Sequence, residues 1–219
     1  DTPATGGNVS FYNQGPDGAV YPTPTIGMVG LLDNVNQKMT LDFKEEGDII
    51  FLVGAGSNDI NSSEYLHKIH GIEYSPAPEF DLDKEFILQQ KVAELIKSKI
   101  IKSAHDVSEG GLFITVLESC FNRDLGMDVV AADFNIRKDA YWFGESQSRV
   151  VITVSEDKVP SFKKIMGNHV YEELGFVTGG SVEVDGMNWG DISDWKNTYD
   201  NAIGNILAAA SADDAVAVI

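Results

Sequence analysis

Ser103-Ala104-His105-Asp106-Val107-Ser108-Glu109-Gly110-Gly111-Leu112 is the stretch from which the fold is read. The run Ile100–His105 has the character of a strand and carries His105-Asp106 to its C-terminal end. Two glycines then turn the chain into Gly111–Phe121, a segment apolar enough to predict a buried helix. Strand, glycine turn and buried helix in succession make one layer step of an α/β fold. The same stretch offers chemistry. A helix N-terminus after a glycine turn attracts anions, and Asp106 and Glu109 are hard oxygen donors suited to Mg²⁺. A plainer reading has Asp106 or Ser108 capping the helix, with the glycines there for close packing.

Working outward, the alternation continues. Ile49-Ile50-Phe51-Leu52-Val53 predicts a central strand closed by Gly54, Gly56 and Asn58. Ser62–His70 reads as a short helix opened by Ser62 or Ser63 and stopped by Gly71. Asp81–Lys99 predicts a long helix capped by Asp83, with Leu82, Phe86, Ala93, Ile96 and Ile100 near helical spacing. Strands are expected at Met127–Ala131, Arg149–Val154 and Phe176–Val184, and helices at Pro160–His169 and Asn201–Ala210. Before residue 33 the character differs: Val9–Tyr12 and the apolar run Ile26–Leu32 read as strands, the latter buried, around a loop rich in proline and glycine. A boundary at 33/34 therefore separates residues 1–33 from 34–219. The opening Asp1–Gly6 reads like a loop from the middle of a longer protein.

Composition narrows the function classes. In 219 residues, 16 Lys+Arg stand against 34 Asp+Glu, a net charge of −18. That field repels a phosphate polymer, so general nucleic-acid binding is disfavoured. A small phosphorylated ligand remains compatible, because carboxylate-held Mg²⁺ inverts the local charge. No apolar stretch approaches the roughly 20 residues of a membrane helix, and no secretory leader pattern opens the chain. The single cysteine, Cys120, excludes an internal disulfide framework and reads as a small buried hydrophobe.

Two further constellations carry possible chemistry. Gly6-Gly7-Asn8-Val9-Ser10 combines glycines that admit close backbone approach to phosphate, an amide oxygen for Mg²⁺ and a hydroxyl. On these five residues alone the plainer reading, a Gly-Gly-Asn turn before a strand, comes first. Phe143-Gly144-Glu145-Ser146-Gln147-Ser148-Arg149 places five small or polar residues directly before a strand. These suit either a loop that binds a polar ligand, with Arg149 as clamp, or a solvated turn with Arg149 paired to a surface carboxylate. His67 and His70, i, i+3 on the short helix, could share a metal but show no third ligand and read as exposed helix histidines; His169 is isolated, and Trp189, Trp195 and Tyr199 read as packing for the C-terminal tail.

Taken together and in order, Gly7–Asn13, Pro22–Leu32, Ser103–Leu112 and Phe143–Arg149 resemble the C-terminal third of the large synthetase subunit of the phosphoribosylformylglycinamidine synthase family. One local departure is Asn61-Ser62-Ser63-Glu64-Tyr65, where a Gly-Gly-Ser-Glu-Tyr pattern is more usual. The resemblance implies an α/β (α+β) fold. Its core is the three-layer C-terminal domain of the aminoimidazole-ribonucleotide synthetase type, with partial ferredoxin-like topology. Residues 1–33 would be the tail strands of a preceding ATP-binding domain.

The resemblance also implies a ligase of purine biosynthesis in the cytoplasm. It would join formylglycinamide ribonucleotide to nitrogen from glutamine or ammonia, using ATP and Mg²⁺. Partners would be the rest of the synthetase subunit and a glutaminase subunit or domain, without nucleic acid or membrane. On the matching positions Gly7 is implied to contact ATP, Asn8 to bind Mg²⁺ and Ser10 to touch substrate. Asp106, Glu145, Ser146 and Gln147 would be pseudo-symmetric counterparts forming an auxiliary site. No catalytic residue falls within the chain, so the isolated protein is expected to be inactive. Two alternatives stand beside this: a structural module holding an ADP·Mg site, and another enzyme of the same ATP-binding superfamily.

Overall fold

A computed structural model describes residues 3–8, 13–16, 18–20, 23–131 and 135–216, with side chains as far as residue 209. The chain divides into two compact units, 1–33 and 34–219. Among its described residues the first holds one hairpin of two-residue strands, β1 (Gln14–Gly15) against β2 (Gly18–Ala19). Ile26–Leu32, expected as a buried strand, forms none. Val29 and Leu31 are each 99% exposed. A backbone run becomes a strand by pairing, and a unit of 33 residues is too short to build a core of its own. Val9–Tyr12 lies outside the described residues.

The second unit is a seven-stranded mixed sheet with helices on both faces. Its strands are β3 (Ile49–Val53), β4 (Ser103–Asp106), β5 (Gly126–Val129), β6 (Val150–Val154), β7 (Tyr171–Thr178), β8 (Ser181–Val184) and β9 (Met187–Asp191). In space they run β4-β6-β3-β7-β5-β8-β9. All neighbours are antiparallel except the β5–β8 pair.

The apolar run of β3 is explained by the layers. Ile50 and Leu52 point into one core with α2 (Gly111–Phe121), whose Leu112, Val116 and Cys120 are fully buried. Phe51 and Val53 point into the other, with α1 (Leu82–Lys97) and α4 (Val159–Met166). Alternate side chains are both buried, so alternation disappears and the run reads as continuous. Phe51 packs with its ring tilted against Phe162 of α4, centroids 4.5 Å apart, and Tyr171 of β7 stands edge-on to Phe162 at 5.1 Å. Such aromatic groups contribute about 1 kcal/mol per pair beyond buried area. Two further helices, α3 (Lys138–Phe143) and α5 (Ile192–Val216), complete the unit.

Several expectations need correction. Asp81, not Asp83, caps α1, accepting hydrogen bonds from the Asp83 and Lys84 amides at 3.1 Å. The buried stripe of α1 is Leu88 and Leu95, while Leu82 and Phe86 are exposed. Apolar residues occupy more than one face of this helix, so spacing alone does not fix its phase. The Ser62–His70 segment is a π-helical turn at Tyr65–Ile69 rather than an α-helix. The stretch Phe176–Val184 is two strands, split at Gly179-Gly180. Edge strand β9 and helix α3 had no sequence reading. Cys120 and the Trp189–Trp195 packing behave as read: burial pushes the thiol pKa up, and both indoles contact Phe113.

Candidate ligand-binding site

The loops that carry the polar motifs gather at one end of β3, β4 and β6. The β4–β6 register sets Asp106 opposite Val150, and the Val107 amide donates to the Arg149 carbonyl at 3.0 Å. The loops after β4 and before β6 are therefore neighbours. Two glycines make the approach possible. A Cβ on Gly54 would lie 2.2 Å from the Ser148 carbonyl oxygen, and one on Gly111 2.7 Å from the Gly144 oxygen; both have positive φ.

Glu145 joins the loops. Its Oε1 accepts from the Gly110 amide at the start of α2 and from the Glu64 amide at the start of the π-helical turn, both at 2.8 Å. Amides at the start of a helical segment lack intrasegment acceptors, and a carboxylate satisfies them with favourable charge. Ser108 and Asp106 do not cap α2; the residue before it is Gly110, in a left-handed conformation.

Arg149 fits neither expectation for it. It is 2% exposed, donates from Nε to the Ser146 carbonyl at 3.1 Å and from Nη2 to the Gly144 carbonyl at 2.6 Å. It clamps its own loop. Burial pulls its pKa down to about 10, against the opposing influence of Tyr141, Glu172 and Glu145, so it stays protonated at neutral pH. Nη1 finds no protein acceptor among the described residues. Behind it, the Tyr141 hydroxyl donates to Glu172 Oε2 at 2.6 Å.

Beyond Glu145 the loop turns toward α1. Ser146, Gln147 and Ser148 line a cavity of about 690 Å³, together with Gly54–Ser57, Lys84, Lys91 and His169. Val53, Ile87, Leu88 and Met166 give it an apolar wall. Ser148 Oγ donates to Glu85 Oε2 of α1 at 2.7 Å, and Ser146 is only 8% exposed. This volume suits a drug-sized ligand. The structure thus places Ser146 and Gln147 in the cavity, and Glu145 against backbone amides. Asp106 is the exposed last residue of β4. The α1 wall and His169 were not linked to the site by sequence. Lys84 and Lys91 lie 55 to 64 positions before the Ser146–Ser148 loop and His169 lies 21 to 23 after it, with no shared motif.

The residues fit a complete Mg²⁺ site poorly. Glu145 Oε1 is already engaged by two amides, and no group of three His, Cys, Asp or Glu side chains among the described residues could hold a metal. Gly7 and Asn8 are exposed in the first unit, and a Cβ on Gly7 would meet nothing within 4 Å. Ser10 lies outside the described residues. No described helix is long and apolar enough to cross a membrane.

The family described as "AIR synthase related protein, C-terminal domain" matches residues 45–186. Phosphoribosylformylglycinamidine synthase subunit PurL of Alkaliphilus metalliredigens is 40% identical over 186 residues, 84% of this chain and 25% of the relative. The Salinibacter ruber subunit of the same name is also 40% identical, over 84% of this chain and 26% of its own length. The chain thus spans about a quarter of these relatives. Among solved structures, T. maritima PurL complexed with FGAR superposes with a TM-score of 0.63 at 16% identity, covering 74% of this chain and 30% of that one. T. maritima PurL complexed with ATP gives 0.56 at 15% identity, over 73% and 27%. At such identities the likeness is one of fold.

Proposed function

This chain belongs to the AIR synthase related proteins, C-terminal domain family, and from that premise we propose its function: a C-terminal segment of a phosphoribosylformylglycinamidine synthase subunit. The observation that carries this reading is 40% identity to curated subunits over 84% of the chain. In the proposed reaction ATP phosphorylates the amide oxygen of formylglycinamide ribonucleotide. Ammonia, supplied by a glutaminase partner, then displaces phosphate to give formylglycinamidine ribonucleotide. Such phosphoryl transfer is governed by positioning and charge neutralisation.

This chain's own share is positional. We assign Gly7 to ATP, Asn8 to Mg²⁺ and Ser10 to substrate. Asn8 would lend one amide oxygen, with the remaining ligands coming from elsewhere in the longer subunit. Bound Mg²⁺ would neutralise phosphate charge there. The isolated chain carries no catalytic residue and turns over nothing. Asp106 and Glu145–Gln147 belong to a non-catalytic auxiliary region. What favours a bracing role for it is the Glu145 carboxylate, which ties two segment starts together.

The test is a hybrid subunit in which this chain replaces the matching quarter of a curated relative. ATP-dependent formation of formylglycinamidine ribonucleotide from ammonia should persist in the hybrid and be missing from the chain alone. A well-folded hybrid without activity, or turnover by the isolated chain, would refute the reading.

A further inference from the structure

The second unit carries a small pocket lined by basic side chains in an otherwise acidic chain. Carboxylates outnumber basic residues 34 to 16 in this chain. Yet a pocket of about 180 Å³ at the N-terminal side of β4 is lined by Lys38, Lys44, Lys99 and Lys102 and by no carboxylate. These four lysines come from separate segments. Asp106 and the loops described above stand at the other end of β4.

Two of the lysines are held in ion pairs with carboxylates outside the lining. Lys44 Nζ donates to Thr40 Oγ1 at 2.7 Å and pairs with Asp42 at 2.9 Å. Lys102 Nζ contacts Asp48 at 2.6 Å and Glu45 at 2.7 Å. The other two, Lys38 and Lys99, are exposed and form no ion pair among the described residues. Lys99 holds a left-handed backbone, φ +54°, a conformation that costs a side chain roughly 1–2 kcal/mol. The Lys158 ammonium donates to the Lys99 carbonyl at 2.9 Å, adding a nearby cation. Compensation of the α1 dipole at its C-terminal end accounts for Lys97 and Lys99. It does not account for Lys38, Lys44 and Lys102, which lie on other segments.

We propose that this pocket binds a phosphate dianion, free or as the head of a small phosphomonoester. Ammonium groups on flexible stems gather around phosphate as point charges. The volume decides the size class: ligand pockets for drug-sized molecules start at roughly 300 Å³, so a whole nucleotide is too large and a phosphate group fits. Met39, Ile96 and Ile101 form an apolar side of the pocket, which tolerates a short alkyl substituent on the phosphate. The inference rests on the lysine geometry alone and stands whether or not the ligase reading holds.

Calorimetric titration of the 219-residue chain at low ionic strength tests it, with inorganic phosphate in one arm and glycerol phosphate in the other. Saturable binding is expected, weakened at least tenfold in the double variant Lys38→Gln/Lys99→Gln. The Lys84→Gln/Lys91→Gln variant, in the larger cavity, should bind within twofold of the parent. Binding of phosphate without the ester identifies the free anion as the ligand; binding of both extends the site to esters. Since Lys38 and Lys99 are exposed, an unchanged melting temperature verifies that the first variant is folded. No saturable heat up to 10-millimolar-order phosphate (about that limit for a weak site), or equal affinity in parent and the Lys38/Lys99 variant, would overturn the proposal.

Discussion

Two apolar runs in this molecule have the same character and opposite fates. Ile26-Gly27-Met28-Val29-Gly30-Leu31-Leu32 stands exposed and unpaired, whereas Ile49–Val53 is the centre of a seven-stranded sheet, with Ile50, Phe51 and Leu52 fully buried. What differs is their surroundings. β3 has β6 and β7 as hydrogen-bonded neighbours and helices over both faces. Apolarity supplies a reason to be buried, and pairing partners supply the means.

Side-chain truncation should widen this contrast most. Phe51→Ala opens a cavity between the sheet and α4 and should cost about 3–5 kcal/mol in urea unfolding. Leu31→Ala, by contrast, should stay within about 0.5 kcal/mol of the parent. Equal losses would break the comparison. Glycine substitution probes the same difference through the backbone. Gly54→Ala meets the Ser148 carbonyl at 2.2 Å with φ at +104° and should cost about 3 kcal/mol, whereas Gly30→Ala meets nothing within 4 Å and should be close to neutral.

A smaller effect sharpens the picture at the edge of the second unit. Burial alone would raise the Asp42 pKa, but hydrogen bonds from Thr40, Lys44 and Arg123 together hold it well below the usual carboxylate range. The folded form therefore binds this proton more weakly than the unfolded one. Its stabilisation is full above about pH 4, the unfolded carboxylate value, and is lost as pH falls through the depressed folded value. Asp42→Asn should then cost about 1 kcal/mol at pH 7 and progressively less in acid. A constant difference across an acid unfolding series would contradict that origin.

Much of the second unit was legible from its sequence. Gly111–Phe121 was readable because a glycine pair announces its start and its composition is nearly all apolar. β3 was readable because burial on both faces leaves an uninterrupted run. The phase of α1 was not, since Leu82 and Phe86 imitate a core stripe while Leu88 and Leu95 form it. Nor was the role of Arg149 visible. Its acceptors are the backbone carbonyls of Gly144 and Ser146, and backbone acceptors leave no trace in residue identity. The link between Tyr141 and Glu172 spans 31 positions, and the large cavity draws its walls from β3, α1 and the end of α4 at once. Motif reading found the 143–149 loop but not the direction each residue faces.

In the proposed function the polar loops beside β4 and β6 brace the fold, and the chemistry falls to other parts of the subunit. Glu145→Gln in the hybrid subunit tests it most directly, by melting temperature and kcat for ATP-dependent amidine formation measured together. A bracing carboxylate predicts a lowered melting temperature with kcat within about twofold of the parent hybrid, since an interaction absent from the reacting centre leaves the barrier unchanged. An unchanged melting temperature with kcat reduced by about a hundredfold or more, as for loss of a general acid or base, would contradict it.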